Sequence, residues 1–168
     1  LLRRVQEKKK LRESKNVRII PYSSKYKKQF RDLNEEWIST YFTMEAEDYK
    51  ALDNPKGYIL DKGGYIFVAL LDDEPVGICA MIKMKDPEYD YELAKMAVAP
   101  KAQGRNIGIL LANAVIEKAR SIGANKLYLE SNTLLKSAIS LYQKLGFRKV
   151  SGRNSPYARS NIQMGLNL

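Results

Sequence analysis

In one stretch, Met96-Ala97-Val98-Ala99-Pro100-Lys101-Ala102-Gln103-Gly104-Arg105-Asn106-Ile107-Gly108, a run of strand character stops at a proline, crosses a polar turn and enters a helix. Such a junction is an anion cradle. The N–H groups of a helix's first turn have no intrahelical partner and the helix dipole adds partial positive charge, so a diphosphate can be held there. Gly104 and Gly108 let backbone and ligand approach closely, and Arg105 adds a permanent cation. The stretch is neither a Walker loop, since no Gly-Lys-Ser/Thr follows, nor a dinucleotide fingerprint, since no GxGxxG opens a strand-helix-strand unit.

Composition removes several other chemistries. The 168 residues include no histidine, which excludes Ser-His-Asp and Cys-His catalysis and the commonest transition-metal ligand, and no metal is expected. The single cysteine, Cys79, can form neither an intramolecular disulfide nor a zinc cluster. Its place in Val76-Gly77-Ile78-Cys79-Ala80-Met81-Ile82 marks it as a buried structural thiol. The net charge of +10 is segregated, with +10 on residues 1–31, −10 on 32–92 and +10 on 93–168. That pattern suits a reaction between a polyanionic cofactor and a cationic acceptor, or else it is a chance clustering of solvated faces. No apolar run reaches the roughly 18 residues that cross a bilayer, and Leu1-Leu2-Arg3-Arg4 does not open a signal peptide, so a cytoplasmic protein with no membrane partner is expected.

The elements that must position the cradle follow from periodicity. Residues 1–16 are charged and read as a basic tail or frayed helix, and a single domain spans 17–168. Val17 to Ile20 reads as a strand; Ser23 or Ser24 caps a helix whose apolar face is Tyr26, Phe30, Leu33 and Trp37; Glu45 to Leu52 is a second helix, stopped by Asp53-Asn54-Pro55. Tyr65 to Leu71 and Val76 to Met84 form a hairpin about Asp72-Asp73-Glu74-Pro75, and Tyr91 to Ala99 is the next strand. A helix over Ile107 to Ile122 with Gly123 as its cap, a strand over Lys126 to Glu130, a helix over Leu134 to Leu145, and closing strands over Phe147 to Val150 and Ile162 to Leu168 complete a mixed α/β order.

The turn Gln103-Gly104-Arg105-Asn106-Ile107-Gly108 resembles the acetyl-CoA pyrophosphate loop of the GNAT N-acetyltransferase superfamily, Arg/Gln-x-x-Gly-x-Gly/Ala, preceded as here by a strand ending in Val-x-Pro. Asn106 stands where that family generally has glycine, and Asn is the non-glycine residue that best tolerates a left-handed backbone. A second stretch, Ala138-Ile139-Ser140-Leu141-Tyr142-Gln143-Lys144-Leu145-Gly146-Phe147, is similar to the family's A-x-x-x-Y-x-K-x-G-F helix end. The order of elements from Val17 to Leu168 resembles the whole GNAT fold.

The resemblance implies an α/β (α+β) acyl-CoA N-acyltransferase fold: a central mixed, mostly antiparallel sheet splayed at the cofactor site and flanked by helices. Acetyl-CoA is the implied cosubstrate, its pantetheine arm on the backbone of Met96, Ala97 and Val98, its pyrophosphate on Gln103, Gly104, Arg105, Asn106, Ile107 and Gly108, and Asn132 on the pantetheine. Tyr142 is the implied general acid to the departing thiolate, and Glu92 the implied base that deprotonates the amine directly or through a water. A backbone N–H near Val98 polarises the thioester carbonyl. The acceptor site falls to Trp37, Tyr41, Phe42, Glu45 and Asp48, with Tyr157, because aromatic rings with carboxylates hold a cationic amine. Plainer roles exist for several of them: Trp37 as a core anchor, Glu45 as a helix-cap charge, Glu92 as a surface glutamate paired with Lys95 or Lys83, and Tyr142 as a core ring.

The implied reaction is acetyl transfer to a primary amine of a small molecule or peptide by direct attack in a ternary complex, in a chain that supplies no nucleophile and that can dimerise through its final strands. Two other classes compete. One is a catalytically idle acyl-CoA-binding module in which Glu92 and Tyr142 only pack. The other is a nucleic-acid binder driven by the basic N-terminus, disfavoured because residues 32–168 carry no net charge.

Overall fold

The computed structural model describes residues 1–6 and 16–168. Residues 2–6 form an exposed helical turn, and the rest of the expected tail up to residue 15 lies outside the described residues. The elements run β1 (Val17–Pro21), α1 (Lys27–Tyr41), α2 (Ala46–Asp53), β2 (Tyr65–Leu71), β3 (Glu74–Lys83), β4 (Tyr91–Val98), α3 (Ile107–Ser121), β5 (Lys126–Ser131), α4 (Lys136–Lys144), β6 (Arg148–Val150) and β7 (Ile162–Asn167). The strands make one seven-stranded sheet in the order β1-β2-β3-β4-β5-β7-β6, antiparallel throughout except for the parallel pair β4 and β5.

Alternation along the strands divides the core between the two sheet faces. Cys79, Met81, Leu93, Leu127 and Leu129 pack with Ile107, Leu111, Val115 and Ala119 of α3. Ile66, Val68, Ile78, Ala80 and Ala97 pack with Phe30 of α1 and Ala51 and Leu52 of α2. Cys79 is fully buried and its thiol is pushed up by desolvation, as a structural cysteine should be. The β2–β3 hairpin turns on Asp72 and Asp73, both left-handed at φ 49° and 66°, the turn type whose twist matches paired strands.

Three local details depart from the periodic reading. A 3-10 turn over Ser24–Tyr26 precedes α1, and the most deeply buried row of the helix is Phe30, Asn34 and Ile38, with Leu33 and Trp37 flanking it. Asn34 is tolerated in that row because its Nδ2 donates to the Phe30 carbonyl at 2.9 Å. Beyond Pro55 the chain adds a π-helical turn over Lys56–Leu60, opened by the Asn54 side chain accepting from the Gly57 N–H at 3.1 Å. Lastly, α4 starts at Lys136 rather than Leu134, because the Asn132 side chain holds the preceding turn by accepting from the Leu134 N–H at 2.8 Å.

Two features of β4 make the site. Its pairing with β5 stops after Tyr91↔Leu127 and Glu92↔Tyr128, although both strands continue, so the sheet splays open beyond Glu92. Its pairing with β3 passes from Ala80↔Ala94 to Ile78↔Ala97, leaving Lys95 and Met96 opposite the single residue Cys79. This is a β-bulge, with Lys95 left-handed at φ 52°.

Candidate active site

The splay opens into a cavity of about 200 Å³. Glu92, Lys95 and Met96 enter from β4, Glu130 and Ser131 from β5, Tyr142 from α4, Trp37 and Phe42 from the end of α1 and its following loop, and Tyr157 and Arg159 from the β6–β7 loop.

Glu92 sits where the two parallel strands part. Its carboxylate has no hydrogen bond or ion pair among the described residues, although Lys95 lies three residues further along β4 and Lys83 stands opposite the neighbouring Tyr91 on β3. Desolvation, with the Glu130 carboxylate adding to it and Lys95 partly opposing, pushes its pKa up to about 7. Across the cavity Tyr142 is buried, its ring edge-on to Phe147 at 6.0 Å. Burial raises its phenol above the ordinary value, so the hydroxyl stays protonated across the physiological range. An acceptor of protons and a donor of protons therefore line one cavity.

The acceptor side is walled by a buried polar network that sequence spacing could not show. Asp48 is fully buried and receives Arg159 through two guanidinium bonds of 2.7 and 2.6 Å, the Lys95 ammonium at 2.8 Å and the Glu45 backbone N–H at 2.8 Å. Burial alone would raise its carboxyl, but the bonds from Arg159 and Lys95 hold it at about 2. Lys95 also donates to the Tyr157 hydroxyl at 3.0 Å and lies 4.6 Å from that ring's centre. Glu45 accepts from the Ala158 N–H at 2.8 Å and pairs with Arg159 at 3.2 Å.

Of the residues expected to meet the acceptor, Trp37, Phe42 and Tyr157 line the cavity. Tyr41 does not, being 52% exposed on the outer side of α1 with its ring against Trp37 at 5.4 Å. The Glu45 and Asp48 carboxylates are likewise taken up by Arg159 and Lys95 of this same chain. Asn132 lines the cavity too, and its Nδ2 donates to the Arg159 carbonyl at 2.7 Å, tying the β5–α4 turn to the β6–β7 loop.

On the far side of the splay, the turn before α3 has the backbone that an anion cradle needs. Gly104 is left-handed at φ 81°, and a Cβ built on it meets nothing within 4 Å. Asn106 is left-handed at φ 60°, the conformation its residue type tolerates. The first intrahelical bond runs from the Leu110 N–H to the Asn106 carbonyl at 3.2 Å, so the amides of Ile107, Gly108 and Ile109 precede the helix's own ladder. Met96 and Leu141 flank Gly108, linking β4, the turn and α4.

Arg159 and the bulged Lys95 carry no signal in the sequence, since their partners are distant along the chain, and the place of Glu130 in the cavity depends on the splay of β5 from β4. Glu130 accepts from the Tyr128 hydroxyl at 2.9 Å and the Ser155 hydroxyl at 2.5 Å. The same loop is clamped at Arg153, which pairs with Asp86 and lies 4.9 and 4.8 Å from the ring centres of Tyr89 and Tyr128.

An open mixed sheet splayed at its one parallel pair, with a glycine-bearing turn at the following helix, is the acyltransferase class of architecture that the two sequence signatures implied. The chain belongs to the Acetyltransferase (GNAT) family, which residues 28–147 match. N-acetyltransferase 8F1 of Rattus norvegicus is 33% identical over 122 residues, covering 71% of this chain and 52% of that protein. The chain spans about half the length of such relatives. Among solved structures, a GNAT-family acetyltransferase from Staphylococcus aureus superposes with a TM-score of 0.80 at 22% identity, covering 90% of this chain and 98% of that one. The protein yncA from Salmonella typhimurium, determined with its cofactor acetyl-CoA, superposes at 0.73 with 15% identity, covering 90% and 94%. Among the described residues, no helix is long and apolar enough to cross a membrane.

Proposed function

We propose that this chain transfers the acetyl group of acetyl-CoA to a primary amine of a cationic small molecule or peptide, the amine attacking the thioester while both are bound. The observation that carries the reading is the pairing, in one cavity at the splay, of an uncommitted carboxylate with a pKa of about 7 and a buried phenol that stays protonated. A base poised near the working pH and an acid that remains loaded are what this transfer asks of a protein.

The residues fit acetyl-CoA as cosubstrate. Gln103, Gly104, Arg105, Asn106, Ile107 and Gly108 would hold the pyrophosphate, with the open space at Gly104 and the positive end of α3 as the reasons. The edge of β4 over Met96, Ala97 and Val98, which loses its β5 partner beyond Glu92, would pair with the pantetheine arm, and Asn132 borders the same gap. The cosubstrate supplies an activated acyl group, so the protein needs no nucleophile of its own. Glu92 takes the proton from the incoming ammonium, Trp37, Phe42 and Tyr157 present rings to that cation, and the Tyr142 hydroxyl gives a proton to the departing sulfur.

The test is calorimetric titration with acetyl-CoA, followed by thiol release in the presence of primary amines, for the parent chain and for Tyr142→Phe and Glu92→Gln. One saturable, salt-weakened site with turnover lost in both variants supports the reading. Absence of binding at millimolar acetyl-CoA refutes it.

A further inference from the structure

Lys95 and Glu92 lie three residues apart on one strand and line one cavity, yet the lysine pairs with Asp48 of α2 and leaves the glutamate alone. The bulge makes this choice possible. In strict alternation Lys95 would share the face of Leu93, which packs toward α3. The extra residue opposite Cys79, with Lys95 left-handed at φ 52°, turns its side chain instead toward α2, where it is 6% exposed and meets a fully buried carboxylate.

We propose that Asp48 is a positioning residue: held in place by Arg159, it sequesters the Lys95 ammonium, and so keeps the Glu92 carboxylate unpaired and open to the acceptor amine. This rests on the reading of Glu92 as the base. Asp48 is committed on all sides, to both guanidinium nitrogens of Arg159, to Lys95 and to the Glu45 N–H. Removing its charge leaves a buried ammonium without a counter-charge, which is costly enough to drive rearrangement. Of the carboxylates in the cavity, Glu130 already takes two hydroxyl donors and Glu47 is paired with Lys50. Glu92, on the same strand, is the one left for Lys95 to approach. The other titratable groups that line the cavity with Glu92 are Glu47 from α2, Tyr58 from the π-helical turn, Glu130 from β5, Tyr142 from α4, and Tyr157 and Arg159 from the β6–β7 loop, with Tyr128 opposite Glu92 on β5, and among the described residues none of them places a cation in contact with its carboxylate.

The experiment is a carbon-13 NMR titration of the Glu92 side-chain carboxyl, assigned with Glu92→Gln, in the parent chain and in Asp48→Asn, Lys95→Met and the double variant. In Asp48→Asn the midpoint should fall from about 7 by roughly one pH unit or more as Lys95 turns to Glu92. In Lys95→Met it should rise above the parent value, and the double variant should follow Lys95→Met. A midpoint unchanged in Asp48→Asn, or lowered in Lys95→Met, overturns the proposal. If Asp48→Asn does not fold, Lys95→Met decides alone: a rise of less than about one pH unit shows the ammonium already held away from Glu92, and a larger rise shows the two paired in the parent chain and overturns the proposal. The pH dependence of amine acetylation is read separately: if the carboxyl midpoint moves and the rate profile does not, the base assignment fails and the sequestering role stands.

Discussion

Holding Glu92 protonated to near neutrality has a cost in stability that can be measured without knowing the acceptor. Desolvation, with the Glu130 carboxylate beside it, pushes the carboxyl up to about 7 in the fold from an ordinary value of 4.5. The native state therefore keeps a proton that the unfolded chain has already released, and stability falls as pH rises through that window. At about 1.4 kcal/mol per pH unit the full penalty is roughly 3 kcal/mol, of which about 2.5 kcal/mol develops between pH 5 and pH 8. Glu92→Gln keeps the shape and cannot ionise, so it should escape the penalty. Urea unfolding of both chains at the two pH values should show the variant gaining about 2.5 kcal/mol on the parent as pH rises, or about 5–10 °C in thermal midpoint for a chain of this size. Parallel pH dependences for parent and variant would refute the claim that Glu92 is desolvated and unpaired, and with it the reason for choosing it as the base.

Other perturbations follow from the same geometry. Tyr142→Phe should lower turnover about 100-fold or more while calorimetry finds acetyl-CoA affinity within about twofold of the parent, since general acid catalysis contributes on that scale and the ring's packing is retained. Asn106→Gly should leave acetyl-CoA affinity unchanged, whereas Asn106→Val, forced to φ 60°, should cost about 1–2 kcal/mol in unfolding free energy and weaken binding. Asp48→Ala removes the anion from beneath Arg159 and Lys95 and should destabilise the fold by about 3–5 kcal/mol in denaturant titration. In the parent chain Asp48's own contribution is present above pH 4 and lost as pH falls toward about 2.

Much of the fold is written locally. The apolar alternation of β2 and β3, the two aspartates able to turn left-handed between them, and the continuous apolar character of α3 are near-neighbour properties, and each element formed within a few residues of where those patterns place it. The anion turn is local too: a glycine, a tolerant asparagine and a helix start suffice to define it, and the backbone at Gly104 and Asn106 is left-handed as those residue types permit. What the sequence could not decide is how charges pair across the cavity. Asp48 and Arg159 are 111 positions apart, and Lys95 reaches Asp48 only because β4 bulges opposite Cys79, a register event that no residue in β4 announces. That pairing occupies Glu45 and Asp48, carboxylates that composition alone offers to a cationic acceptor, and it leaves Glu92 without a counter-ion. Residue types along the chain determined the glycine-bearing turn before α3 and supplied the candidate carboxylates and phenol; which carboxylate stays uncommitted was decided by the tertiary fold, because ion pairing depends on distance in space and on desolvation, and neither follows from sequence separation.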